Sequence, residues 1–184
     1  MAIDFHFQSL TDSSNALLVG KIATVASIGI YAGTALTFNT IIMPSLRKFS
    51  TSSSIAIWHE TAVAAKTFQI SSVLISVAGS TGLYYKTKNP SYLYAAATMA
   101  ALIPYNLLAL VPINKKLFAI RQSNTVNGKS NSMKDSISDD SVAEALLSRW
   151  NLFQYGRTLL GFGALIAALY GVASDSSVRF ILFK

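Results

Sequence analysis

Four stretches of this chain run without a charged side chain for long enough to cross a lipid bilayer: Ile22–Met43, Thr67–Tyr85, Tyr92–Asn114 and Thr158–Ser174. A helix needs about 20 mostly apolar residues to span the hydrocarbon core. Composition agrees: 52% of the 184 residues are hydrophobic and 12% are charged, roughly half the charged share of a soluble domain. The apolar residues come in long blocks rather than short periodic ones. The sequence therefore predicts an all-α integral membrane four-helix bundle. It forms a single transmembrane domain over 1–184, with spans near 16–43, 55–85, 91–114 and 146–173.

Several function classes drop out at once. With no cysteine, disulfides, iron–sulfur clusters and thiolate-ligated haem are excluded. Two histidines, His6 and His59, are too few for an ordinary zinc site. His59-Glu60 does not open a zinc-protease motif, because position 63 is Val; no metal is expected. The net charge of +7 lies mostly in loops, where it reads as orientation and membrane-lipid contact rather than nucleic-acid binding. Before Lys21 the N-terminus has Asp4 and Asp12 and no basic residue. It resembles neither a secretory signal nor a mitochondrial transit peptide, so the first apolar run reads as a retained anchor. A multi-pass protein of the endomembrane system, favouring the endoplasmic reticulum, is expected. The Lys/Arg count puts the loops after the first and third spans in the cytosol.

Local signals set the boundaries. Helix 1 should stop at Pro44, where the ring breaks the ladder. Gly29 and Gly33 form a small-xxx-small pair suited to bundle packing. Ser54 reads as the cap of helix 2, and Pro104 should kink helix 3. Residues 122–140 are rich in Ser, Asn, Lys and Asp and read as a disordered loop. Ser141 and Glu144 have capping-box spacing, which should restart the chain as a helix.

Antiparallel spans bring the end of helix 1, the start of helix 2, the end of helix 3 and the start of helix 4 to one side. There the chain places Asn39, then Trp58, His59, Glu60 and Lys66, then Asn106 and Asn114, then Trp150, Gln154 and Arg157. The other half is read as almost wholly apolar. Polar groups inside a bilayer are costly and mark functional sites, so a one-sided polar cavity between the helices is expected. Lys66 should face the bundle or water. Trp150, Gln154 and Arg157 share one helix face. Two readings of Arg157 stay open: an arginine that snorkels to the interface, or a buried forked donor with Asn114 and Glu60 as acceptors.

The segments IPYNLLALVPINKKL (103–117) and RWNLFQYGRTLL (149–160), with Pro44 and Trp58, resemble the family of small four-helix membrane proteins that includes fungal anthrone oxygenases. The features that carry the resemblance are Pro44 after helix 1, Trp58 starting helix 2, Pro112 with Asn114 ending helix 3, and Trp150 with Arg157 entering helix 4. Lys66 fits the pattern; Ala62 and Ala65 stand where Tyr and Gly are frequent, and Gln154 where Asn or His is usual. The resemblance implies a monooxygenase that needs no cofactor. A base removes an acidic carbon proton from an apolar aromatic substrate, and the enolate reacts directly with O2. His59 is then the base, since imidazole takes up protons near neutral pH. Arg157, with Asn114 or Lys66, holds the developing oxyanion. Trp58, Trp150, Gln154, Asn39 and Asn106 line the substrate. The alternative is a non-catalytic membrane subunit or assembly factor of a larger membrane complex, with Arg157, Glu60 and Lys66 in register-fixing ion pairs.

Overall fold

The computed structural model describes residues 13–126 and 133–175, with side chains over 15–122 and 140–175. The helices are α1 (Ser13–Thr37), a π-helical turn (Phe38–Ile42), α2 (Met43–Leu46), α3 (Thr51–Thr87), α4 (Pro90–Tyr105), a second π-helical turn (Asn106–Leu110), α5 (Val111–Val126) and α6 (Met133–Ser174). No strand occurs among the described residues. They make four rods, Asn15–Leu46, Thr51–Thr87, Pro90–Gln122 and Asp140–Ser174, each long and apolar enough to cross a membrane. The rods pack as a closed ring: α1 lies against α3 and α6, and α4 against the same two.

Side-chain bonds fix the up-and-down order. At one end Lys21 Nζ meets Asp175 Oδ2 at 2.6 Å, and Asn89 Nδ2 donates to Gly171 O at 3.2 Å. At the other, Arg121 reaches Glu60 at 2.7 Å and Ser54 Oγ donates to Leu46 O at 2.6 Å. The core divides accordingly. Phe38, Trp58, Trp150, Ile113 and Leu117 fill the Glu60 end, and Ile28, Tyr31, Met99, Leu102, Ala164 and Ala168 fill the half toward Lys21.

Pro44, expected to stop the first helix, and Pro112, inside the third, are both absorbed into continuous rods. The first rod runs past Pro44 to Leu46, correcting the expected stop. Met43 N–H bonds Phe38 O, and Val111 N–H bonds Asn106 O, each reaching back five residues instead of four. Each widened turn ends two residues before a proline, Pro44 or Pro112. A proline has no N–H and its ring presses on the carbonyl four residues earlier; the wider turn moves that carbonyl aside. Pro104 sits inside α4, with the second π turn directly after that helix.

Other boundaries move too. Helix α3 begins at Thr51 rather than Ser54, whose hydroxyl instead ties down the preceding turn. Helix α5 runs to Val126 and α6 starts at Met133, so helix enters the stretch expected as a loop from both sides; residues 127–132 lie outside the described residues. The Ser141–Glu144 pair is therefore inside a helix, and Glu144 accepts from Thr51 at 3.3 Å. The Gly29–Gly33 pair is not the closest approach. A Cβ on Gly161, by contrast, would stand 3.3 Å from Ala32 Cα, a close approach to the backbone of the first rod.

Candidate functional site

Between the two core halves lies a layer of polar side chains, centred on Arg157. It is 8% exposed and does not snorkel. Its Nε donates to Tyr31 Oη at 3.1 Å, one terminal nitrogen to Gln154 Oε1 at 3.1 Å, and the other to Gln69 Oε1 at 2.7 Å. The guanidinium also lies 5.6 Å from the Tyr31 ring centre. Helices α1, α3 and α6 each supply one acceptor, which is why three separate stretches of sequence meet here. Beside it Asn39 Nδ2 donates to Thr158 Oγ1 at 2.7 Å, which donates to Gln154 O at 3.1 Å. Tyr105 donates to Phe153 O at 2.8 Å.

The charge balance is unusual. All three acceptors are neutral, and no described carboxylate pairs with Arg157. A guanidinium only donates, so both glutamines must turn their oxygens toward it and their amide nitrogens away. Those nitrogens, Gln69 Nε2 and Gln154 Nε2, are buried and have no hydrogen-bond partner, as does Asn39 Oδ1. The site thus holds one uncompensated positive charge and two spare donors, an arrangement that favours an anionic oxygen.

The residues expected to form the site separate into two levels. Trp150, Gln154, Arg157 and Asn39 are all buried. Trp58 and Trp150 stack edge to face at 5.7 Å, Phe38 packs on Trp150 at 5.7 Å, and Trp150 Nε1 donates to Asn114 Oδ1 at 2.9 Å. Asn114 therefore serves Trp150 and not Arg157. Asn106 is half-buried, with its Oδ1 unpartnered. Glu60 is exposed and pairs with Arg121 at 2.7 Å, which corrects its expected role as an acceptor for Arg157. His59 touches Glu60 at 3.3 Å and the Phe118 ring at 4.9 Å. By helical rise it stands about 15 Å along α3 from Gln69.

Lys66 is exposed rather than facing the bundle. The reason is depth. From Arg157 to Ser174 the helix rises about 25 Å, most of a ~30 Å hydrocarbon core. Lys66, one turn beyond Gln69 toward the Glu60 end, falls at the near interface, where its ammonium reaches water or headgroups.

Sequence reasoning missed Tyr31, Gln69 and Thr158 as members of the layer. A signal existed for Gln69, an amide inside an uncharged run, since such a group in lipid must find a partner. The Lys21 half is also less apolar than expected. Besides the Lys21–Asp175 pair, Ser27 Oγ donates to Ser72 O and accepts from Ser76 Oγ, both at 3.1 Å. Among the described residues no three His, Cys, Asp or Glu side chains converge on a common point.

Fold and site together define a four-span membrane protein whose helices enclose an uncompensated arginine. The family profile described as anthrone oxygenase matches residues 58–167, from Trp58 through the whole of the Arg157 face. The chain belongs to that family. No curated protein and no solved structure matches it.

Proposed function

We propose that the protein is a cofactor-independent oxygenase acting on an apolar aromatic molecule, with Arg157 holding the oxygen on which negative charge develops. The observation that carries this reading is the buried guanidinium with three neutral acceptors and two spare amide donors beside it. A preorganised cation in a water-poor layer stabilises an enolate far better than it does the neutral ketone. For an anthrone, loss of a proton from the ring CH2 gives that enolate. O2 then adds at the same carbon, one oxygen becomes the new carbonyl, and the other leaves as water with the two ring hydrogens. No external reductant enters the balance.

The proton acceptor in this reading is His59. At about 15 Å from the Gln69 level it takes the proton only through intervening water, so the weight of the reading falls on Arg157. Trp58, Trp150, Asn39, Asn106 and Asn114 shape the adjoining wall. Lys66, at the interface, has no part in holding the oxyanion.

The test is O2 uptake by purified protein in lipid nanodiscs with anthrone as substrate. Turnover above the uncatalysed rate, lost in Arg157→Leu and reduced only modestly in His59→Ala, supports the reading. No turnover, with stoichiometric co-purification of a larger membrane complex, favours instead a non-catalytic subunit.

A further inference from the structure

Where the first rod turns back into the second, the backbone folds tightly: Lys48 N bonds Ser45 O and Phe49 N bonds Leu46 O, both at 3.1 Å. Thr51 then opens α3 and reaches across to Glu144 of α6 at 3.3 Å. Glu144, Leu147 and Ser148 stand at i, i+3 and i+4, so α6 presents all three on one face. Between the turn and that face lies a pocket of about 240 Å³. Met43, Leu46 and Leu147 form a buried apolar floor, and Arg47, Phe49 and Glu144 stand exposed at the rim. Helix α6 sets its depth. Ser148, also in the lining, stands about 39 Å along that helix from Ser174. That is beyond a hydrocarbon core of ~30 Å and within the ~40–45 Å of a bilayer counted with its headgroups.

We propose that this pocket seats the headgroup of phosphatidylethanolamine, a phospholipid with a phosphate and, two carbons away, a primary ammonium. Arg47 and Glu144 both line the pocket, yet among the described residues neither is in an ion pair, with the other or with anything else. Opposite charges held in one small pocket without neutralising each other are answered together by a zwitterion. The guanidinium donates to two phosphate oxygens at once. The ammonium donates to the Glu144 carboxylate, whose Oε1 already accepts from Thr51. An anionic headgroup leaves Glu144 facing like charge, and a choline headgroup has no N–H to give it. The apolar floor favours a lipid over a soluble phosphoamine, and Phe49, 57% exposed at headgroup level, belongs against acyl chains more than in water. The volume falls below the ~300 Å³ at which pockets for drug-sized molecules begin, so it takes a headgroup and leaves the chains in the bilayer.

The test is native mass spectrometry of the full-length protein, stripped of lipid in detergent and titrated with dioleoyl phosphatidylethanolamine. Phosphatidylcholine and phosphatidylglycerol with the same chains are the comparisons. One lipid should bind per protein, at least tenfold more tightly with the ethanolamine headgroup than with either of the others. Arg47→Gln and Glu144→Gln should each abolish that preference. Both side chains are exposed, so the fold should stay intact, as circular dichroism would show. Lys86→Gln removes a charge from the far end of α3 and should bind as the unaltered protein does. Soluble phosphoethanolamine in hundredfold excess should leave the lipid bound, because it offers nothing to the apolar floor.

Equal affinity for the three lipids overturns the proposal, and so does a preference that survives both Arg47→Gln and Glu144→Gln. Displacement by phosphoethanolamine overturns the lipid as the source of the headgroup. A preference for phosphatidylglycerol that only Arg47→Gln removes overturns the part given to Glu144.

Discussion

Arg157 is the residue on which most else depends, because a guanidinium this deep is held by geometry and not by an opposing charge. Lysine carries the same charge but a single ammonium cannot reach Tyr31, Gln69 and Gln154 in one plane. Arg157→Lys should therefore leave expression and circular dichroism intact while anthrone-dependent O2 uptake drops at least tenfold. Equal activity of the lysine variant would mean that charge alone suffices. Gln69→Leu removes the shortest of the three bonds and leaves a buried N–H of the guanidinium unanswered. It should cost about 1–3 kcal/mol, read as a lowered midpoint of thermal unfolding in detergent.

At the scale of the element, glycines and prolines mark where helices had to adapt. A Cβ at Gly156 would overlap the Tyr105 hydroxyl, which is itself bound to Phe153 O. Gly156→Ala should destabilise by about 1–3 kcal/mol, as overpacking does, and Gly156→Ala with Tyr105→Phe should recover only part of the loss, because the ring Cζ would still stand 2.8 Å from the new methyl. Failure of the second change to help would place the strain elsewhere. Lys88 closes α3 with a left-handed backbone, φ 57°, a conformation that costs a non-glycine residue roughly 1 kcal/mol. Lys88→Gly should raise the thermal midpoint slightly, and a fall would show that the lysine side chain matters more than its backbone.

For the whole molecule, the ring of four antiparallel rods predicts a sidedness. Single cysteines at 88 and 50 should label from opposite faces of sealed vesicles; reaction from the same face would sink the four-span topology. The Lys21–Asp175 pair ties the first rod to the last, with side chains only 3% and 14% exposed. Removing Lys21 takes from the Asp175 carboxylate the ion pair that joins the two rods. Lys21→Met should therefore cost more than Lys21→Met with Asp175→Asn, as measured by thermal unfolding of both variants.

The number of spans, their antiparallel order and the helical face shared by Trp150, Gln154 and Arg157 were all written in the sequence. Hydrocarbon permits so few solutions for a long uncharged run that length and spacing alone select the helix. The resemblance carried by Trp58, Pro112 and Trp150 likewise needed no coordinates. The partners of Arg157 were another matter. Asn114 and Glu60 looked level with it, but a helix rises only 1.5 Å per residue, and small errors in where each rod begins shift the level by a full turn. Two π turns, before Pro44 and Pro112, altered the register again. Only the packed bundle decided that Tyr31 and Gln69 meet the guanidinium, that Lys66 points outward, and that Arg47 and Glu144 line one pocket. Those outcomes depend on how side chains from separate helices fill one space, which no single stretch of sequence encodes by itself.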